Sequence, residues 1–133
     1  MRCHRMIQEA AEAVGVDYAV ASFAYPTVGR WDIAGLRRYD QIFAYWILPD
    51  FDAYRYVVDL YNAALRRFAE DTGSRYIEVA AHLRGGSEMF TDNCHLYANG
   101  IEQKADIIFG QLIPVLEEAG FQPSGASSTT AGP

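Results

Sequence analysis

Cysteine is scarce in this sequence, with Cys3 and Cys94 the only two among 133 residues. A pair so far apart, with no CxxC spacing beside either member, makes no disulfide framework, zinc site or redox motif, so both are expected to be free thiols. Long apolar runs are missing as well. No stretch could span a bilayer, and the N-terminus runs from Met1 through Arg5 into Gln8-Glu9-Ala10-Ala11-Glu12 without the apolar core of a signal peptide. As written, the chain reads as cytoplasmic. Positive charge is also in short supply: 11 Lys and Arg against 17 Asp and Glu give a formal net charge of -6, with no basic run to follow a phosphate backbone. Nucleic acid is not an expected partner.

What is present is the composition of a folded domain, half hydrophobic and 14% aromatic. One core is the most that 133 residues build comfortably. Cys3, Met6, Ile7, Ala10 and Val14 recur at helical spacing, opposite Arg5, Glu9 and Glu12, and Gly15 is placed to end that helix. The apolar run Asp17 to Tyr25, stopped by Pro26, predicts a buried strand of a mainly parallel sheet. Residues 27 to 50 carry Trp31, Tyr39, Phe43, Tyr45 and Trp46 between Gly29, Gly35 and Pro49, which predicts a long connection with a short helix at Ile33 to Tyr45. Such aromatics cover a core or shape a ligand cleft.

The strongest helical pattern is Asp52 to Asp71, with Tyr54, Val57, Val58, Tyr61, Ala64, Leu65 and Phe68 on one stripe and Gly73 as its stop. A second strand follows at Arg75 to Ala80. Strand, crossover helix and strand in that order predict a right-handed parallel unit. After Arg84-Gly85-Gly86-Ser87 comes a last helix starting at Asn99 or Gly100, with Ile101, Ala105, Ile108, Phe109, Leu112 and Leu116 inward and Pro114 set to kink or weaken it. The expected domain is 1–119, and Gly120 to Pro133 is expected to be a disordered tail. Two parallel strands and their helices leave sheet edges without partners. The chain reads as part of something larger.

Ahead of the last helix lies Phe90-Thr91-Asp92-Asn93-Cys94-His95-Leu96, with an acid and a histidine three residues apart. A carboxylate at that distance can turn back onto the imidazole, fix its tautomer and stabilise its protonated form. Together with Tyr61-Asn62-Ala63-Ala64-Leu65, Tyr76-Ile77-Glu78-Val79-Ala80 and Asn99-Gly100, this block resembles the C-terminal part of SGNH hydrolases, the GDSL esterases and lipases. The resemblance implies a partial three-layer α/β/α, flavodoxin-like domain with its N-terminal half missing. It implies Asp92 and His95 as the acid and base of a Ser-His-Asp triad acting on acyl or acetyl esters of lipids or carbohydrates. The residues 31–46 would then lie over the site, and export, common in the family, would replace a cytoplasmic location.

The same resemblance implies what this chain does not supply. The family's nucleophilic serine follows its first strand in a Gly-Asp-Ser-like block, and its oxyanion Gly and Asn lie in two middle blocks, all before the helix at which this sequence begins. Alone, the chain is therefore expected to be inactive. Ser87 in Gly85-Gly86-Ser87 sits where the family has no nucleophile, and Ser22, in mid-strand, is expected to be a packed or backbone-bonded hydroxyl. Cys94 is expected to turn inward as a small hydrophobe, with no cation or helix N-terminus to activate it. A metal set of Asp92, Cys94 and His95 with His4 or His82 lacks a recognised spacing, so neither metal nor cofactor is expected. The rival reading is a non-catalytic α/β interaction module, self-associating or pairing with a separate N-terminal half through its open sheet edge.

Overall fold

The computed structural model describes residues 1–26, 51–92 and 94–121. The connection at 27–50, with its expected helix, lies outside them, as does the tail from 122 onward. The described chain is a mixed α/β structure around a small parallel sheet. In order it runs α1 (Arg2–Ala13), β1 (Ala19–Ala21), α2 (Phe51–Thr72), β2 (Arg75–Ile77) and α3 (Ala98–Glu118).

Two helices stop the same way. The N–H of Val16 reaches the carbonyl of Ala11 and that of Gly15 reaches Glu12, while Phe121 reaches Leu116 and Gly120 reaches Glu117. Both are Schellman closures, and their turning residues Gly15 and Gly120 hold φ of 71° and 83°, where a side chain is strained. Gly120 and Phe121 thus cap α3 rather than open the tail. The other expected boundary moves little, α3 starting at Ala98 and continuing through Pro114.

The strands pair in parallel with Ala19 opposite Arg75, Val20 opposite Tyr76 and Ala21 opposite Ile77. Opposed residues share a face, so Val20 and Tyr76 pack with Leu65, Phe68 and Ala69 of α2. Ile77 belongs to a second cluster with Ala24, Val79, Leu83, Met89 and Phe90, against which Ile107, Ile108 and Leu112 of α3 pack. Both strands end sooner than the runs 17–25 and 75–80 predict. The cause is the Ser22 hydroxyl, which takes the N–H groups of Val79 and Ala80 at 2.7 and 2.8 Å, replacing the backbone ladder.

Helical side-chain amides finish the strands on their outer sides. Asn62 of α2 accepts from Phe23 N at 2.7 Å and donates to Phe23 O at 3.0 Å, while Gln111 of α3 does the same for Glu78, both at 2.9 Å. Each amide stands in for a strand neighbour.

Two helix faces differ from the apolar pattern. In α1 the residue turned inward is Gln8, bonded to Glu12 and to the Thr72 carbonyl, and His4 meets the phenols of Tyr18 and Tyr61 at 2.8 and 3.1 Å. Met6, Ile7 and Val14 are left exposed. In α3 Ile101, Phe109 and Leu116 are exposed, because Gly100 rather than Ile101 is the buried residue of its first turn and sets the helix rotation toward Ile107, Ile108 and Leu112.

Candidate functional site

The segment joining β2 to α3 is held at both ends. Phe90 and Leu96 form an antiparallel bridge, the N–H of Thr91 donates to the His95 carbonyl and that of Tyr97 to the Met89 carbonyl, each at 2.8 Å. Its floor is apolar: Phe90 is almost wholly buried, and Met89 and Leu96 join the same cluster. Burial of a side chain such as Phe90 contributes about 1.5–3 kcal/mol, which fixes the loop to the core. The first turn of α3 presses on it, Asn99 donating to the Glu88 carbonyl at 3.1 Å and Gly100 lying against Met89. Only a glycine fits there: a Cβ on Gly100 would stand 2.9 Å from the Met89 carbonyl oxygen.

On this floor Asp92 uses both carboxylate oxygens. Oδ1 accepts the N–H of Cys94 and the N–H of His95, both at 2.8 Å, which makes an Asx-type turn, and Oδ2 meets His95 Nδ1 at 2.7 Å. An ionised carboxylate only accepts, so the proton of the neutral imidazole sits on Nδ1 and the lone pair on Nε2. Among the described residues Nε2 has no hydrogen-bond partner, and the His95 side chain is 75% exposed. Burial acts to raise the Asp92 carboxyl, but the backbone N–H groups of His95 and Cys94 and the imidazole outweigh it and hold the group below its ordinary value. At neutral pH the acid is therefore ionised.

Comparison with protein-family models, with characterised proteins and with solved structures returns no match.

Asp92 and His95, three apart in sequence, are brought together by the turn. Cys94 corrects the expectation that it faces inward: it is half-buried, and its Sγ lies 3.4 Å from His95 Nδ1. Burial, the Asp92 charge and a hydrogen bond to Asp92 push its thiol up to about 11, which lowers the share of the nucleophilic thiolate. The sequence signal for its position is the aspartate itself, whose Asx turn reaches two and three residues on.

The remaining candidates lie apart. Ser22 is buried as a backbone-bonded hydroxyl, accepting from Val79 and Ala80 and donating to Glu78 Oε1 at 2.7 Å, and Arg66 also engages Glu78. Ser87 and His82 are exposed, and among the described residues no serine hydroxyl bonds His95. His4 is engaged by its two tyrosines. A groove of about 500 Å³ between α2 and the residues that follow both strands carries Arg55, Arg66 and Arg84 with Asp59 and Glu78; neither Asp92 nor His95 lines it. The aromatic segment 31–46, expected over the site, lies outside the described residues. Among the described residues no helix is long and apolar enough to cross a membrane.

Proposed function

We propose that this chain carries the acid–base part of an ester-hydrolysing site of SGNH type, within a three-layer flavodoxin-like domain acting on acyl or acetyl esters of lipids or carbohydrates. The observation that carries the reading is the 2.7 Å contact between Asp92 Oδ2 and His95 Nδ1, which leaves Nε2 as an outward lone pair. In this reading Nε2 takes the proton of a serine hydroxyl as that oxygen attacks the ester carbonyl, and Asp92 stabilises the resulting imidazolium. The same proton then passes to the departing alkoxide.

The serine and the oxyanion donors come from blocks that these 133 residues do not contain. Ser22 is committed to the backbone and Ser87 makes no bond to His95, so among the described residues the base has no activated serine beside it.

The coding DNA preceding Met1 provides the test. An in-frame Gly-Asp-Ser-like block supports the reading, provided the joined protein hydrolyses p-nitrophenyl acetate and loses about 10⁶ in rate on His95→Ala. A joined protein indifferent to His95→Ala overturns it. So does the 133-residue chain alone turning over the ester at enzyme rates that depend on Ser87 or Cys94.

A further inference from the structure

The Asx turn at Asp92 places three different donor atoms on one side of a short loop. The Asp92 carboxylate, Cys94 Sγ and a His95 ring nitrogen lie within 4.8 Å of one another. Sequence spacing hides this set, because 92, 94 and 95 match no familiar ligand pattern. The turn creates it: Oδ1 is used on the two backbone N–H groups, so Oδ2 remains directed at the side chains.

The separation of the sulfur and nitrogen donors suits a small tetrahedral ion. Zinc–sulfur and zinc–nitrogen bonds of about 2.3 and 2.0 Å place the two donors about 3.5 Å apart. Cys94 Sγ and His95 Nδ1 already stand at 3.4 Å. Oδ2 and Nδ1, now 2.7 Å apart across a shared proton, need to open by only roughly 0.6 Å to admit the ion. With loop ends fixed by the Phe90–Leu96 bridge, that change is one of side-chain rotation. A thiolate, an imidazole and a carboxylate together select zinc-like ions over magnesium or calcium, which prefer oxygen shells.

We propose that Asp92, Cys94 and His95 form a three-ligand site for a zinc-like divalent cation, which takes the place of the proton that Asp92 and His95 share. No redox change is involved. The Cys94 S–H bond breaks and an S–metal bond forms, with the proton released to solvent. At His95 the Nδ1 proton leaves, the metal binds there, and Nε2 gains a proton from solvent, so one proton is released net. The consequence follows from the imidazole: a ring metallated at Nδ1 and protonated at Nε2 has no lone pair left. Metal and base function exclude each other at His95. The metal site stands independently of the ester-hydrolase reading, and only this last consequence rests on it.

The test is a Co²⁺ titration of the reduced, metal-free 133-residue chain, followed by Zn²⁺ as competitor. The expected result is a 1:1 complex with a thiolate-to-cobalt band in the near ultraviolet, which Zn²⁺ abolishes. Cys94→Ser removes the band, His95→Ala and Asp92→Asn each weaken binding by at least about tenfold, and Cys3→Ser changes nothing. Absence of the band in the unaltered chain, its survival in Cys94→Ser, or its loss in Cys3→Ser overturns the proposal. A second measurement needs no variant: Zn²⁺ should protect Cys94 and not Cys3 from iodoacetamide, read by peptide mass, and equal labelling with and without Zn²⁺ overturns it. Neither readout involves ester hydrolysis, so failure here leaves the reading of the dyad standing.

Discussion

Asp92 divides its carboxylate between the two halves of His95: one oxygen holds the backbone N–H at 2.8 Å and the other holds the imidazole Nδ1 at 2.7 Å. Main chain and ring are thus oriented by one group. In Asp92→Asn the turn keeps an acceptor, but the amide N–H₂ faces the ring and favours a lone pair on Nδ1. The expected outcome is a switch from the Nδ1–H to the Nε2–H tautomer, read from the ¹⁵N shifts of His95 at neutral pH. Identical shifts in both proteins would contradict the assignment.

The same carboxylate makes stability depend on acid. Its folded pKa lies below its unfolded one, so its contribution is present above the unfolded value of about 3.9 and is lost as pH falls through the lower folded value. Urea unfolding of the parent and of Asp92→Asn should differ most above about pH 5 and converge on acidification below that range. A gap that widens toward acid has the wrong sign.

Cys94 should be a sluggish thiol. Raising it from 9.0 to about 11 cuts the thiolate at pH 8 by about 100-fold, and the greater nucleophilicity of a more basic thiolate returns up to about tenfold. Alkylation of Cys94 at pH 8 is therefore expected about tenfold slower in the folded chain than in urea, and faster again in Asp92→Asn. Peptide mass after timed iodoacetamide quenching measures both.

Gly100 and Gly110 share α3 and should respond in opposite senses to alanine. At Gly100 the new methyl meets the Met89 carbonyl, a backbone atom that cannot swing aside, whereas at Gly110 it meets nothing within 4 Å. Gly100→Ala is expected to cost about 1–3 kcal/mol and to displace the His95 resonances. Gly110→Ala is expected to stabilise by about 0.5–1 kcal/mol, with those resonances unmoved.

Ser22→Ala removes the acceptor of two N–H groups, one of them on Val79, which is fully buried. A cost of about 1–3 kcal/mol per stranded buried donor is expected in urea unfolding. A neutral result would mean that the 78–81 segment finds other partners.

The long helix and the parallel pairing are legible because each rests on a repeating pattern: the stripe at Val58, Leu65 and Phe68 persists over several turns, and strand, helix and strand leave few arrangements. The strand ends are not legible, since one serine hydroxyl settles them. Nor is the inward face of α1, where Gln8 and His4 are held by hydrogen bonds that hydrophobic periodicity cannot register. At the site, D-x-x-H spacing shows the acid and the imidazole, while the position of Cys94 follows from turn geometry. The expectation of a small inward-facing hydrophobe meets a half-buried thiol beside the imidazole.

The amide pairs at Asn62 and Gln111 also bear on how this molecule meets other chains. In a parallel pair alternate residues direct both backbone groups outward, and because Ser22 N bonds Ile77 O, it is Phe23 on one margin and Glu78 on the other that face away. Those are the two residues whose N–H and C=O the helices occupy. A foreign strand arriving at either margin finds the C-terminal hydrogen bonds already taken and must displace a helix side chain to gain more than a short foothold along Ala19–Ala21 or at Tyr76. Recruitment into intermolecular sheet is thereby discouraged at the ends of the strands by two neutral amide side chains.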